Sequence, residues 1–139
     1  MDAIQVVWHG HYLSYFEVGR EALGAAYGVG FQDLVSAGVA APIVHACCDY
    51  FVPARHGDVL EIRARLHHSL ASKLDLTYDI HRCEADDTSL TGTQPATGPR
   101  MATGHTTQVF VTPGGDLLLN QPTLMKTFFE RWADHLVDT

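Results

Sequence analysis

One segment limits the possible architectures more than any other. His11–Tyr27 has helical spacing, with Tyr12, Phe16, Gly19, Leu23 and Ala26 along one face. Leu13, Tyr15, Val18 and Ala22 add apolar surface, leaving only a narrow polar stripe of Ser14, Glu17 and Glu21. A helix apolar around so much of its circumference is expected to be enclosed rather than to lie on a surface. What encloses it follows in the sequence. Leu60–Leu66 and Leu74–Ile80 alternate strictly between apolar and polar residues, as half-buried strands do. Ala102–Thr112, rich in Thr, Val and Phe, reads as a further strand, and Pro42–Val52 is a mixed apolar run. A long apolar helix followed by an antiparallel run of strands predicts an α+β fold in which the sheet wraps the helix.

The connections support this order. Gly28 is placed to cap the first helix, and a short second helix is expected over Phe31–Ala37. His56-Gly57-Asp58 and Pro113-Gly114-Gly115-Asp116 have turn chemistry. Glu84–Arg100 is polar, carries Gly and Pro, and exceeds a hairpin loop, so it is expected to be a mobile surface insertion. After Pro122, Met125, Phe128, Phe129, Trp132 and Leu136 recur at helical spacing, which predicts an amphipathic C-terminal helix over residues 122–137. With neither a repeat nor a linker, residues 1–139 read as a single domain.

A net charge of −7 argues against a general nucleic-acid or membrane-surface binder, and an anionic ligand would need a local basic patch. The three cysteines are odd in number and lack C-x-x-C spacing, which points to reduced thiols in a cytoplasmic protein. No basic segment followed by an apolar stretch opens the chain, so no signal peptide is expected. The apolar run Val35–Cys48 contains Pro42 and His45 and is too short to span a bilayer.

Asp2 precedes His9 by seven residues, and His9 stands at the mouth of the long helix. A helix N-terminus offers unpaired N–H groups and the positive end of the macrodipole. A carboxylate beside it suits acyl transfer, with the base or nucleophile on one side and oxyanion donors on the other. His9 and His11 also form an H-x-H pair that could join Asp2 on a metal, but no ligand beyond these can be identified, and no metal or cofactor is expected. Glu17 and Arg20 have the spacing of a helical ion pair worth a few tenths of a kcal/mol. His45, inside an apolar run, reads as a hydrogen-bonded core histidine.

Two stretches carry a resemblance. Asp2, Val6-Val7-Trp8, His9-Gly10-His11-Tyr12-Leu13 and Phe16-Glu17-Val18-Gly19-Arg20 form one, and Tyr50-Phe51-Val52-Pro53-Ala54-Arg55-His56-Gly57-Asp58 the other. Together with the element order they resemble the hotdog-fold acyl-CoA thioesterases of the 4-hydroxybenzoyl-CoA thioesterase type, over about Asp2 to Thr112. His11 stands where that family usually has Asn, Ile4-Gln5 replace a glycine-rich turn, and the Glu84–Arg100 insertion is longer than the usual hairpin. The family also has a strand before its catalytic aspartate, so the first strand is expected to be missing here.

The resemblance implies an enzyme hydrolysing acyl-CoA thioesters, with Asp2 catalytic as nucleophile or as activator of water. It implies that the His9 N–H polarises the thioester carbonyl, with Trp8, His11, Tyr12 and Arg55 binding substrate. Arg55, Arg63, Arg65, Lys73, Arg82 and Arg100 are candidates for the phosphates of CoA, although a solvated outer sheet face is the default for each. A cytoplasmic homodimer or homotetramer with the active site at a subunit boundary is implied as well. The alternatives are a hotdog hydratase or dehydratase, or a non-catalytic acyl-thioester-binding protein.

Overall fold

A computed structural model describes residues 11–55, 57–83 and 98–132. In chain order the elements are α1 (His11–Tyr27), α2 (Phe31–Ser36), β1 (Ile43–Tyr50), β2 (Leu60–Leu66), β3 (Lys73–Arg82), β4 (Arg100–Val109) and α3 (Thr123–Arg131). The four strands form one antiparallel sheet in the order β1-β4-β3-β2, so β1 and β2 are its edges among the described residues. No helix among them is long and apolar enough to cross a membrane.

Strand alternation decides which side chains meet the helix. Leu74, Leu76, Tyr78 and Ile80 of β3 are buried, as are Ala102, Thr106 and Phe110 on and just after β4. Phe16 of α1 stacks on Tyr78 with ring centroids 4.6 Å apart, and the Tyr78 hydroxyl shares a 2.8 Å hydrogen bond with Thr106. Burial pushes the Tyr78 hydroxyl's pKa up, so this group stays a neutral hydrogen-bonding partner. α1 lies chiefly over β2. Gly19 permits that approach: a Cβ there would come within 2.8 Å of Ile62 Cγ2.

Three expectations need correction. α1 is not buried around most of its circumference: its buried residues are Tyr12, Phe16, Gly19 and Gly24, while Leu13 is 46% and Val18 61% exposed. The described sheet covers one side of the helix and leaves the opposite side open. His45 is exposed rather than a core histidine, its ring centroid 5.9 Å from that of His105. It pairs with Thr107 across β1 and β4, on the side of the sheet away from the helix. β4 begins at Arg100, inside the expected insertion, because its ladder with β3 extends to His81. Residues 84–97 of that insertion lie outside the described residues.

α3 bears out the spacing read from the sequence. Met125, Phe128 and Phe129 are buried, and Tyr27 meets Phe128 and Trp132 at centroid distances of 6.1 and 5.1 Å. Pro122 caps the helix from just outside its first turn, where its missing N–H costs nothing. The end of the predicted 122–137 helix, beyond Trp132, lies outside the described residues.

Candidate active site

The two sequence stretches meet through one side chain. Tyr12, in the first turn of α1, is 2% exposed, and its hydroxyl accepts a 3.0 Å hydrogen bond from the Ala54 N–H. Its ring sits edge-on to Tyr50 at 4.9 Å and to Tyr15 at 5.8 Å. Ala54 is wholly buried, and the turn after it closes through an Arg55 N–H to Asp58 carboxylate bond of 2.8 Å. The start of α1 and the Pro53-Ala54-Arg55 segment are thereby fixed side by side, although 42 residues separate the bonded pair.

Of the sequence-predicted site residues, Tyr12 is a core residue that positions the segment, while His11 and Arg55 are exposed at its margin. Asp2, Trp8 and His9 lie outside the described residues. Among the described residues, no three His, Cys, Asp or Glu side chains converge as a metal site would require.

The basic residues divide by their partners. Arg65 meets Asp79 at 2.7 Å, Lys73 meets Asp75 at 2.9 Å, and Arg63 pairs with Glu61. These stand on the outer sheet face, engaged with carboxylates. Arg100 lies over the Phe51 ring at 5.1 Å. Arg55 is exposed and adjoins the Tyr12–Ala54 junction in sequence. On α1, Arg20 contacts Glu17 at 3.0 Å, the pair predicted from spacing. Of the cysteines, Cys47 is exposed, and burial raises the Cys48 thiol's pKa, which disfavours its reactive thiolate.

A polar network on the outer face has no counterpart among the sequence motifs. Asp75 accepts from Thr107 at 2.6 Å, is paired to Lys73, and lies 3.3 Å from His105 Nε2. Burial pushes this carboxyl's pKa up, but the Thr107 and Lys73 hydrogen bonds, the Lys73 charge and the His105 hydrogen bond outweigh burial and hold it below its ordinary value. Alternation placed Asp75 outward, yet two of its partners, His105 and Thr107, come from a strand some thirty residues away in sequence.

Comparison with known proteins agrees with the fold. A family model described as the thioesterase-like superfamily matches residues 1–132. A Synechocystis protein named as an esterase, sll0410, is 31% identical over 87 residues, which is 63% of this chain and 52% of that protein. The chain thus spans about half the length of the curated relative it matches. Among solved structures, the 1,4-dihydroxy-2-naphthoyl-CoA thioesterase Slr0204 from Synechocystis is similar with a TM-score of 0.71 at 23% identity, covering 92% of this chain and 85% of that one. The DHNA-CoA thioesterase from Staphylococcus aureus gives 0.72 at 16% identity, covering 97% and 79%. These likenesses establish the hotdog fold: an antiparallel sheet with a long helix against it.

Proposed function

The chain belongs to the thioesterase-like superfamily, and from that premise we propose that it hydrolyses acyl-CoA thioesters to a free acid and CoA. Within the superfamily we assign it to the 4-hydroxybenzoyl-CoA thioesterase type, acting in the cytoplasm as a homo-oligomer. The observation that carries the reading is the Tyr12–Ala54 hydrogen bond, which joins the two family-like stretches into one locus at the start of α1.

In this reading Asp2 either attacks the thioester carbonyl or takes a proton from the attacking water. The C–S bond breaks, the thiolate of CoA leaves and is protonated, and the acyl carbon ends as a carboxylate, directly when water attacks or after water hydrolyses the mixed anhydride when Asp2 attacks. The His9 N–H stabilises the oxyanion as it forms. A thioester has little resonance to lose and a thiolate leaves readily, so positioning and one oxyanion donor suffice. Trp8 and His11 shape the acyl side of the site, Tyr12 holds the start of α1 in place beside it, and Arg55 meets a phosphate of CoA.

The test is free-thiol release over a panel of aliphatic and aromatic acyl-CoAs. At least one should be hydrolysed, and Asp2→Asn should lower kcat by about a hundredfold or more with an unchanged thermal melt. Wild-type turnover in Asp2→Asn would remove Asp2 from the mechanism. Binding without thiol release from any member would leave a non-catalytic thioester-binding protein.

A further inference from the structure

A chamber of about 90 Å³ lies between the C-terminal half of α1, α2 and the sheet, and its wall includes Leu23, Val29, Leu34, Leu66, Leu74 and Leu76. One polar side chain enters this apolar wall from the sheet. Gln108 of β4 is 5% exposed, and its amide nitrogen donates to the Ala41 carbonyl at 2.6 Å. That bond fixes the orientation of the amide, because the opposite flip would set two oxygens against each other. The Gln108 Oε1 is therefore the outstanding acceptor, buried and without a partner among the described residues.

Burying an unpaired acceptor is unfavourable, so a site that keeps one is built for a donor. The chamber has room for more than a single water, which needs roughly 10–15 Å³. A water there would want two to four polar partners, and the wall is mostly apolar, with Arg20 and Glu21 of α1 its polar side chains besides Gln108. A group with an apolar body and one O–H or N–H fits it better.

A second cavity, about 180 Å³, runs along the N-terminal half of α1 past Leu13, Glu17, Ile43 and Thr106. Arg20 lines both cavities, held by Glu17. The two therefore adjoin at Arg20, the second on the side of the helix end where the proposed reaction centre lies. Leu13 to Gly24 spans about 16 Å of helix axis, at about 1.5 Å per residue.

We propose that the inner chamber receives the distal end of a long acyl group bearing an O–H or N–H donor, an ω-hydroxyacyl or amide-bearing chain, and that Gln108 Oε1 accepts from that donor. The acyl identity of the ligand rests on the thioesterase reading, whereas the preference for a donor rests on Gln108 alone. A short acyl group ends in the outer cavity, and a chain long enough to extend beyond Arg20 meets Gln108.

The first measurement uses no thioester. Calorimetric titration with free ω-hydroxydodecanoic acid and with dodecanoic acid should show the hydroxy acid binding about fivefold tighter or more, as one additional hydrogen bond confers. Gln108→Leu, checked for folding by thermal melt, should abolish or invert that ratio. Val39→Phe, which fills the chamber from another wall, should weaken both acids alike. Equal affinity of the wild-type protein for the two acids, no binding of either, or a ratio unchanged in Gln108→Leu would overturn the proposal. The second measurement compares kcat/KM for the matching CoA thioesters, whose ratio should follow the binding ratio. A binding preference without hydrolysis of either thioester sinks the thioesterase reading and leaves the chamber standing. Hydrolysis of both at equal rates, with equal affinities for the free acids, does the reverse.

Discussion

Gly104 sits where the Phe16 ring meets β4, and a Cβ at that position would collide with Phe16 Cε2 and Cζ. The ring is also stacked on Tyr78 and wholly enclosed, so it has little room to retreat. Gly104→Ala should destabilise the protein by about 1–3 kcal/mol in urea melts, the usual cost of overpacking a core. An unchanged midpoint would mean that Phe16 shifts without loss. Asp75 supplies a prediction with a pH signature. Its pKa is lower in the folded chain than in the unfolded one, so it contributes stability above the ordinary carboxylate pKa and loses it as pH falls through the folded value. Asp75→Asn should cost about 1 kcal/mol at neutral pH, discounted because Lys73 is partly exposed. Melts at decreasing pH should show the gap between variant and wild type closing below about pH 4. A gap independent of pH would show that Asp75 acts through shape and not charge.

At the scale of elements, legibility followed the strength of the period. α1, β2 and β3 were readable as elements because the spacing of their apolar residues is regular, although the extra apolar residues of α1 overstated its burial. β1 was not, because an edge strand with a register shift between Ile43 and His45 has no sustained inside and outside to encode. The same ambiguity misled the reading of His45. The candidate site was legible as two motifs but not as one place: nothing local in Tyr12 signals that its hydroxyl ends on Ala54. Gln108 and the Asp75–Thr107 contact escaped notice for the same reason, their partners being distant in sequence. α3 lies at the readable extreme, and its apolar spacing makes a quantitative expectation. Phe128 is 4% exposed against Tyr27 and Phe129. Phe128→Ala should therefore destabilise by about 3–4 kcal/mol, the usual cost of emptying an aromatic site. A loss below about 1 kcal/mol, within the range of ordinary surface substitutions, would show that α3 is loosely docked.

The exposed apolar residues of the whole molecule include a group along one margin of the described sheet. Ile43, Val44, Tyr50 and Phe51 are each about half exposed or more, at 48, 60, 48 and 52%, and all lie on or just after β1. β1 is an edge strand, so one row of its backbone N–H and C=O groups lacks a ladder partner within the described sheet. Leu13 of α1 shares a cavity with Ile43, which carries the apolar margin to the helix end where the reaction is proposed. A second copy pairing through the same edge satisfies both needs at once: a two-fold axis sets like strands antiparallel and covers each patch with its equal. The expected result is a dimer at micromolar concentration by light scattering, with its reaction centres near the shared edge. Val44→Lys puts a charge on that edge without touching the helix-facing core. It should shift the mass toward the monomer and depress thioester hydrolysis in parallel, with far-ultraviolet circular dichroism unchanged. A wild-type monomer that hydrolyses thioesters at full rate would separate the chemistry from assembly and leave the apolar margin of β1 without a role.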